Sequence, residues 1–215
     1  MRRFDTVLFD LDGTLLYTLP DIHAAVNAAL RQCGYGRNTM DETRTYVGYG
    51  SRWLIEKSLP EGAPRSEVDR VLMAYRAYYN DHLMVDTVPY PGIGETLFAL
   101  RERGVALGVA TNKFHDSAVR MTAHWYPSFF GSVQGNIEGR PPKPAPDAAL
   151  AAMAELGGTP ERTLFVGDSG PDALTAANAG MACVLCEWGY RTREELESYA
   201  PLAVIRRPEE LLNYI

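Results

Sequence analysis

The chain has 215 residues, 46% of them apolar and 22% charged, and a formal net charge of −6. This is long enough for one large domain, or for a core with a smaller insert. The acidic balance without a basic tract argues against nucleic acid as the main partner, and no apolar run is long enough to span a bilayer. The first residues, Met1 to Asp5, show no apolar signal region, and the three cysteines (Cys33, Cys183 and Cys186) suit a reducing compartment, so a cytoplasmic protein is expected.

Thr6 to Phe9 is a near-continuous apolar run, as in strands covered on both faces. It delivers Asp10 and Asp12, then breaks at Gly13-Thr14. If the strand geometry persists, the two carboxylates face the same way and need a shared proton, a cation or solvent. Asp-Gly is also a common turn dipeptide, so these residues alone are equally well read as an acidic turn. Downstream, Ile22, Ala25, Val26, Ala29 and Leu30 follow helical spacing, with Thr18-Leu19-Pro20-Asp21 resembling a capping box before them. Gly34 and Gly36 end that helix. The loop Gly48-Tyr49-Gly50 leads to a short helix from Arg52 to Leu59, and Val68, Val71, Leu72, Tyr75, Tyr79 and His82 form a further stripe. Tyr90-Pro91-Gly92 is a sharp stop. Residues 18–87 therefore read as a small helical unit inserted after the first strand, into a core made of 1–17 and 88–215.

Four further strands are expected at Val105–Ala110, Thr163–Val166, Ala182–Leu185 and Leu202–Ile205, separated by helical patterns. Residues 126–144, rich in Gly and Pro, read mostly as loop, with a short strand near Ser132 to Gln134. The alternation predicts an α/β fold with a doubly wound, Rossmann-like parallel sheet. Cys183-Val184-Leu185-Cys186 has CxxC spacing but no second pair, and in a strand its thiols face opposite sides, so both read as buried apolar residues.

Ligand sites of open parallel sheets lie beyond the carboxyl ends of the strands. Three such ends carry polar groups here: Asp10 with Asp12, Thr111-Asn112-Lys113, and Asp168 with Asp172, while Lys143 stands in a proline-rich stretch before a helix. Converging, they would hold a cation on carboxylates beside an anion on Lys and Thr. A phosphate ester with magnesium is the simplest ligand of that description.

Asp10-Leu11-Asp12-Gly13-Thr14, Thr111-Asn112-Lys113, Lys143-Pro144 and Gly167-Asp168-Ser169-Gly170-Pro171-Asp172 resemble, in order, the four motifs of the haloacid dehalogenase superfamily. Thr18-Leu19-Pro20-Asp21-Ile22, Val47-Gly48-Tyr49-Gly50, Asn178-Ala179-Gly180-Met181 and Glu187-Trp188-Gly189-Tyr190 resemble its phosphoglycolate phosphatase branch, which carries a helical cap after strand one. The resemblance implies that Asp10 is the nucleophile, forming an aspartyl-phosphate, and that Asp12 is general acid and then base. It implies that Thr111 and the Asn112 amide hold phosphoryl oxygens and that Lys143 neutralises developing charge. Magnesium would sit on Asp10, Asp168 and the carbonyl of Asp12, with Asp172 ligating or orienting water and Lys143. Arg52, after the glycine loop, is a candidate substrate contact from the insert, although a solvated arginine is the plainer reading.

The same comparison prunes the chemistry. The acid at Asp12 argues against dehalogenation, Lys57 reads as a solvated helix lysine and not a Schiff base, and His23 lies one place off the mutase pattern. Tyr17, bulky where relatives carry a smaller residue, is expected to line the cleft entrance. The partner expected is a small phosphorylated metabolite, with phosphoglycolate first and pyrophosphate, nucleotides or sugar phosphates behind it. A phosphomutase and a non-catalytic binding protein are the rival readings. No long apolar stripe points to a dimer, so a monomer or weak homodimer is expected.

Overall fold

A computed structural model describes residues 4–215. Strand β1 (Thr6–Phe9) is buried along its whole length. After it the chain makes a two-residue strand, β2 (Leu16–Tyr17), and then four helices: α1 (Leu19–Gln32), α2 (Met40–Tyr46), α3 (Ser51–Ser58) and α4 (Arg65–Asp81). It returns through β3 (Val88–Pro89), which pairs antiparallel with β2. Helix α5 (Ile93–Glu102), β4 (Ala106–Phe114), α6 (His115–Trp125), β5 (Ser132–Asn136) and α7 (Asp147–Glu155) follow. The remainder is β6 (Thr163–Gly167), α8 (Gly170–Asn178), β7 (Ala182–Cys186), α9 (Arg193–Glu197) and β8 (Ala203–Ile205).

The main sheet has six strands in the order β5-β4-β1-β6-β7-β8, and every pairing is parallel. This is the doubly wound arrangement, with β1 at its centre. One residue is the unit of alternation: Phe9, Leu164, Val166, Val184 and Cys186 pack into one apolar cluster, while Leu8, Phe165, Cys183 and Leu185 pack into the other. Cys183 and Cys186 thus face opposite sides of the sheet, and both are free thiols.

Two expected elements differ. Segment 132–136, in the stretch read mostly as loop, is the full edge strand β5. Strand β4 continues past Ala110 to Phe114, with a register shift against β5 between Ala110 and Phe114. A bulge re-aims side chains at a strand end, and this one carries Thr111, Asn112 and Lys113. The expected capping box at Thr18 is absent. Thr18 bonds Tyr190 through its N–H and hydroxyl, both at 3.1 Å. Asp21 instead accepts the N–H groups of Val85 (3.1 Å), Asp86 (2.9 Å) and Thr87 (2.9 Å), and the Thr87 hydroxyl (2.7 Å). A true capping box lies at Thr39 and Glu42, starting α2, a helix the periodicity did not show.

Within the insert, α1 and α4 bury Ile22, Val26, Val71 and Tyr79 against each other and against α3. Lys57 stands over the Trp53 ring at 4.6 Å, on the helix surface. His23 bonds Thr43 at 2.9 Å, inside the insert. Tyr17 joins an aromatic group with Tyr90 and Tyr190, at ring distances of 6.0 and 6.4 Å. It packs at the crossing between insert and sheet instead of lining the cavity described below. No helix among the described residues is long and apolar enough to cross a membrane.

Candidate active site

The ends of β1, β4 and β6 and the loop before α7 bring Asp10, Thr111, Asn112, Lys143, Asp168 and Asp172 together. Carboxylate oxygens of Asp10, Asp168 and Asp172 lie within 4.8 Å of one another, all buried. The Lys143 ammonium is 2.6 Å from Asp172 Oδ1 and 2.9 Å from Asp10 Oδ1. Asp172 uses its other oxygen, Oδ2, to accept the Ser169 hydroxyl (2.6 Å) and the N–H groups of Ser169 (3.0 Å) and Asp168 (3.2 Å). It therefore fixes the lysine and the β6–α8 turn at once. Asp168 accepts the Tyr190 N–H at 2.8 Å. Gly13, at φ 85°, passes so close to Asp168 that a Cβ there would run into its carboxylate.

Burial dominates the electrostatics. It pushes Asp10 up to about 6, against the pull of Lys143 and the Thr111 hydroxyl and with the push of Asp172 and Asp12. Burial also drives Asp168 well above the usual carboxylate range, with Asp172 and Asp10 adding to it. For Lys143, burial favours loss of the proton, but Asp10 and Asp172 together outweigh it and hold the ammonium charged. One ammonium against three carboxylates leaves buried negative charge. Asp10 Oδ1, although beside Lys143, accepts no hydrogen bond. A hard divalent cation with oxygen ligands would meet both deficits, so these residues fit such an ion. Asp10 and Asp168 are the carboxylates best placed to hold it, since both oxygens of Asp172 are taken.

Asp12 stands apart from that cluster. Its carboxylate pairs with Lys113 Nζ at 2.8 and 3.1 Å, and Nζ also donates to the Tyr79 hydroxyl at 2.6 Å. Asn112 ties loops together: its Nδ2 donates to Gly48 O (2.9 Å) and Lys143 O (3.1 Å), and its Oδ1 accepts the Lys143 N–H at 2.7 Å. A cavity of about 40 Å³ opens above, with Asp10, Asp12, Thr111, Asn112 and Lys113 below it and Ile22, Val47, Gly48, Leu54, Tyr75 and Tyr79 of the insert above. The structure does not bring Arg52 to this cavity: its guanidinium pairs with Asp69 at 2.6 Å on the exposed outer face of the insert. Lys113, Tyr79, Ser169 and Tyr190 belong to the site without having been assigned roles from sequence. Lys113 had a signal in its position beside Thr111 and Asn112, whereas Tyr79 carried none beyond helical spacing.

Residues 7–186 match the family model of the haloacid dehalogenase-like hydrolases. The chain belongs to that family. A phosphoglycolate phosphatase of Aquifex aeolicus is 33% identical, over 96% of this chain and 94% of its own. One of Caulobacter vibrioides is 35% identical, over 93% of this chain and 86% of its own. The crystal structure of a predicted phosphoglycolate phosphatase from Haemophilus somnus superposes with a TM-score of 0.90 at 27% identity, covering 99% of this chain and 98% of that one. The haloacid dehalogenase-like fold thus extends over the insert as well as the sheet.

Proposed function

We propose that this hydrolase releases phosphate from a small phosphate monoester, with phosphoglycolate the first candidate, through an aspartyl-phosphate on Asp10. The enzyme is a phosphoric monoester hydrolase. The observation that carries this reading is the buried Asp10–Lys143–Asp172 chain, with Asp12 two residues along and facing the same cavity. Relatives named phosphoglycolate phosphatases support the substrate class.

An oxygen of Asp10 attacks phosphorus as the ester P–O bond breaks. Asp12 gives a proton to the departing alkoxide, then takes one from the water that cleaves the aspartyl-phosphate, which returns Asp10 as a carboxylate. Lys143, locked by Asp172, and Thr111 face the charge gathering on the phosphoryl oxygens. A divalent ion on Asp10 and Asp168, magnesium in our reading, supplies charge neutralisation for phosphoryl transfer when bound. Residues 18–87 act as a cap over the core formed by 1–17 and 88–215. The cavity has room for only a few waters. Substrate therefore enters with the cap displaced, and small leaving groups are favoured.

The test is phosphate release from phosphoglycolate, pyrophosphate, a nucleotide and a hexose phosphate, with and without magnesium. Magnesium-dependent release that Asp10→Asn abolishes, in a variant with unchanged circular dichroism, is the expected result. Turnover retained in Asp10→Asn refutes the nucleophile.

A further inference from the structure

We propose that Lys113 selects the leaving group, by binding a carboxylate carried on the alcohol one carbon from the ester oxygen. This rests on the phosphatase reading and narrows it to phosphate esters of small hydroxy acids.

The argument starts from charge in the cavity. Among the described residues that line it, Lys113 is the cationic one, and Lys143 lies below, spent on Asp10 and Asp172. The Lys113 side chain is 3% exposed. An ammonium is not kept that dry without partners, and Lys113 has two of unequal kind: the Asp12 carboxylate from the core and the Tyr79 hydroxyl from the insert. Its position follows from theirs. Asp12 is the group that meets the leaving oxygen, so Nζ, 2.8 Å from Asp12 and directed toward the insert, stands where the remainder of the alcohol must lie.

The surroundings narrow the ligand. Tyr75 stacks on Tyr79 with ring centroids 5.5 Å apart, and Ile22, Leu54 and Phe114 close the same volume. This wall offers little to a sugar's hydroxyls, and a cavity of about 40 Å³ favours a small group over a base. A small anion, by contrast, gains a charge-assisted hydrogen bond from Nζ. The ammonium has three protons, directed at both Asp12 oxygens (2.8 and 3.1 Å) and at Tyr79 (2.6 Å), and an incoming carboxylate takes the place of the longer Asp12 contact. Tyr79 does not donate charge. Its hydroxyl fixes the Lys113 rotamer from the insert side, which makes it a positioning residue.

The experiment compares kcat/KM for phosphoglycolate and for ethyl phosphate, a near-isostere without the carboxylate, in the wild type, Lys113→Met and Tyr79→Phe with magnesium present. Glycolate is assayed as a competitive inhibitor of each. Lys113→Met keeps the side-chain length but removes the charge. The expected result is a fall in the phosphoglycolate-to-ethyl phosphate ratio of about 10- to 100-fold, with a matching loss of glycolate inhibition. Tyr79→Phe, which keeps the ring stack, lowers the ratio in the same direction by less. If Lys113 were only a counter-ion for Asp12, both esters would slow together, and an unchanged ratio overturns the proposal. If Lys113→Met fails to fold, an unchanged ratio in Tyr79→Phe, together with glycolate that does not inhibit the wild type, overturns it as well. Failure of the phosphatase reading looks different: neither ester is hydrolysed by the wild type.

Discussion

At the scale of single residues, the chain spends its buried charges on geometry. Asp172 has every oxygen committed, to Lys143 on one side and to the β6–α8 turn on the other. Asp21 does the same for the insert. Its carboxylate gathers three consecutive N–H groups and a hydroxyl from residues 85–87, the strand of chain that re-enters the core. The spacing Thr18-x-x-Asp21 is that of a capping box, and sequence alone could not show that the acid turns instead to a segment 64 residues away. Asp21→Ala orphans these donors, of which those at Thr87 are buried. The expected cost is about 2–3 kcal/mol, read as a lower urea midpoint at unchanged slope. A midpoint equal to the wild type would show that water replaces the carboxylate without loss.

Elements were legible where apolar periodicity was strong. The four inner strands, β1, β6, β7 and β4 as far as Ala110, are near-continuous apolar runs because helices cover both faces. Strand β5, reading Ser-Val-Gln-Gly-Asn, was only half visible: it is an edge strand whose side chains are partly polar. Helix α2, Met-Asp-Glu-Thr-Arg-Thr-Tyr, buries only Thr43 and so has almost no apolar stripe, although Thr39 and Glu42 had advertised its start. The site was legible as strand ends bearing acids, because that chemistry is local in sequence. Its pairings were not: Lys113 meets Tyr79 across 34 residues and Asp12 across 101.

The loop after β7 shows how elements are joined. Arg191 donates to the carbonyls of Arg44 (2.9 Å), Thr45 (3.0 Å) and Val47 (2.7 Å), at the C-terminal end of α2, where a cation also meets the helix dipole. Its neighbour Tyr190 bonds Asp168 through N–H and Thr18 through the phenol. One loop therefore grips the candidate metal ligand, the start of α1 and the end of α2. Arg191→Met removes the grip on α2, together with the Arg191–Glu195 ion pair (3.3 Å), and leaves the Tyr190 bonds in place. Amide exchange over residues 40–51 is expected to quicken by about tenfold or more, since local opening there loses charge-assisted bonds worth over 1.4 kcal/mol, while exchange in β1 and β6 stays as in the wild type. Equal exchange in the variant would mean that Asn112, bonded to Gly48 O, suffices to hold the segment.

For the whole molecule, the buried carboxylate cluster, which could hold a metal ion, links protons and stability. Asp10 ionises near 6 in the metal-free protein and at its ordinary 3.8 when unfolded. Between these values the native state holds more protons than the unfolded one. Stability from this group is thus full below pH 3.8 and is lost as pH rises through about 6, with Asp168 acting in the same direction. A divalent cation bound by these carboxylates would take the place of those protons and release them. The melting temperature in excess magnesium minus that in chelator should be small near pH 4.5 and widen as pH rises through about 6. Asp168→Asn, which removes one carboxylate from the cluster, should flatten the curve. A magnesium shift that is the same from pH 4.5 to 8 would mean that the ion binds somewhere other than these carboxylates.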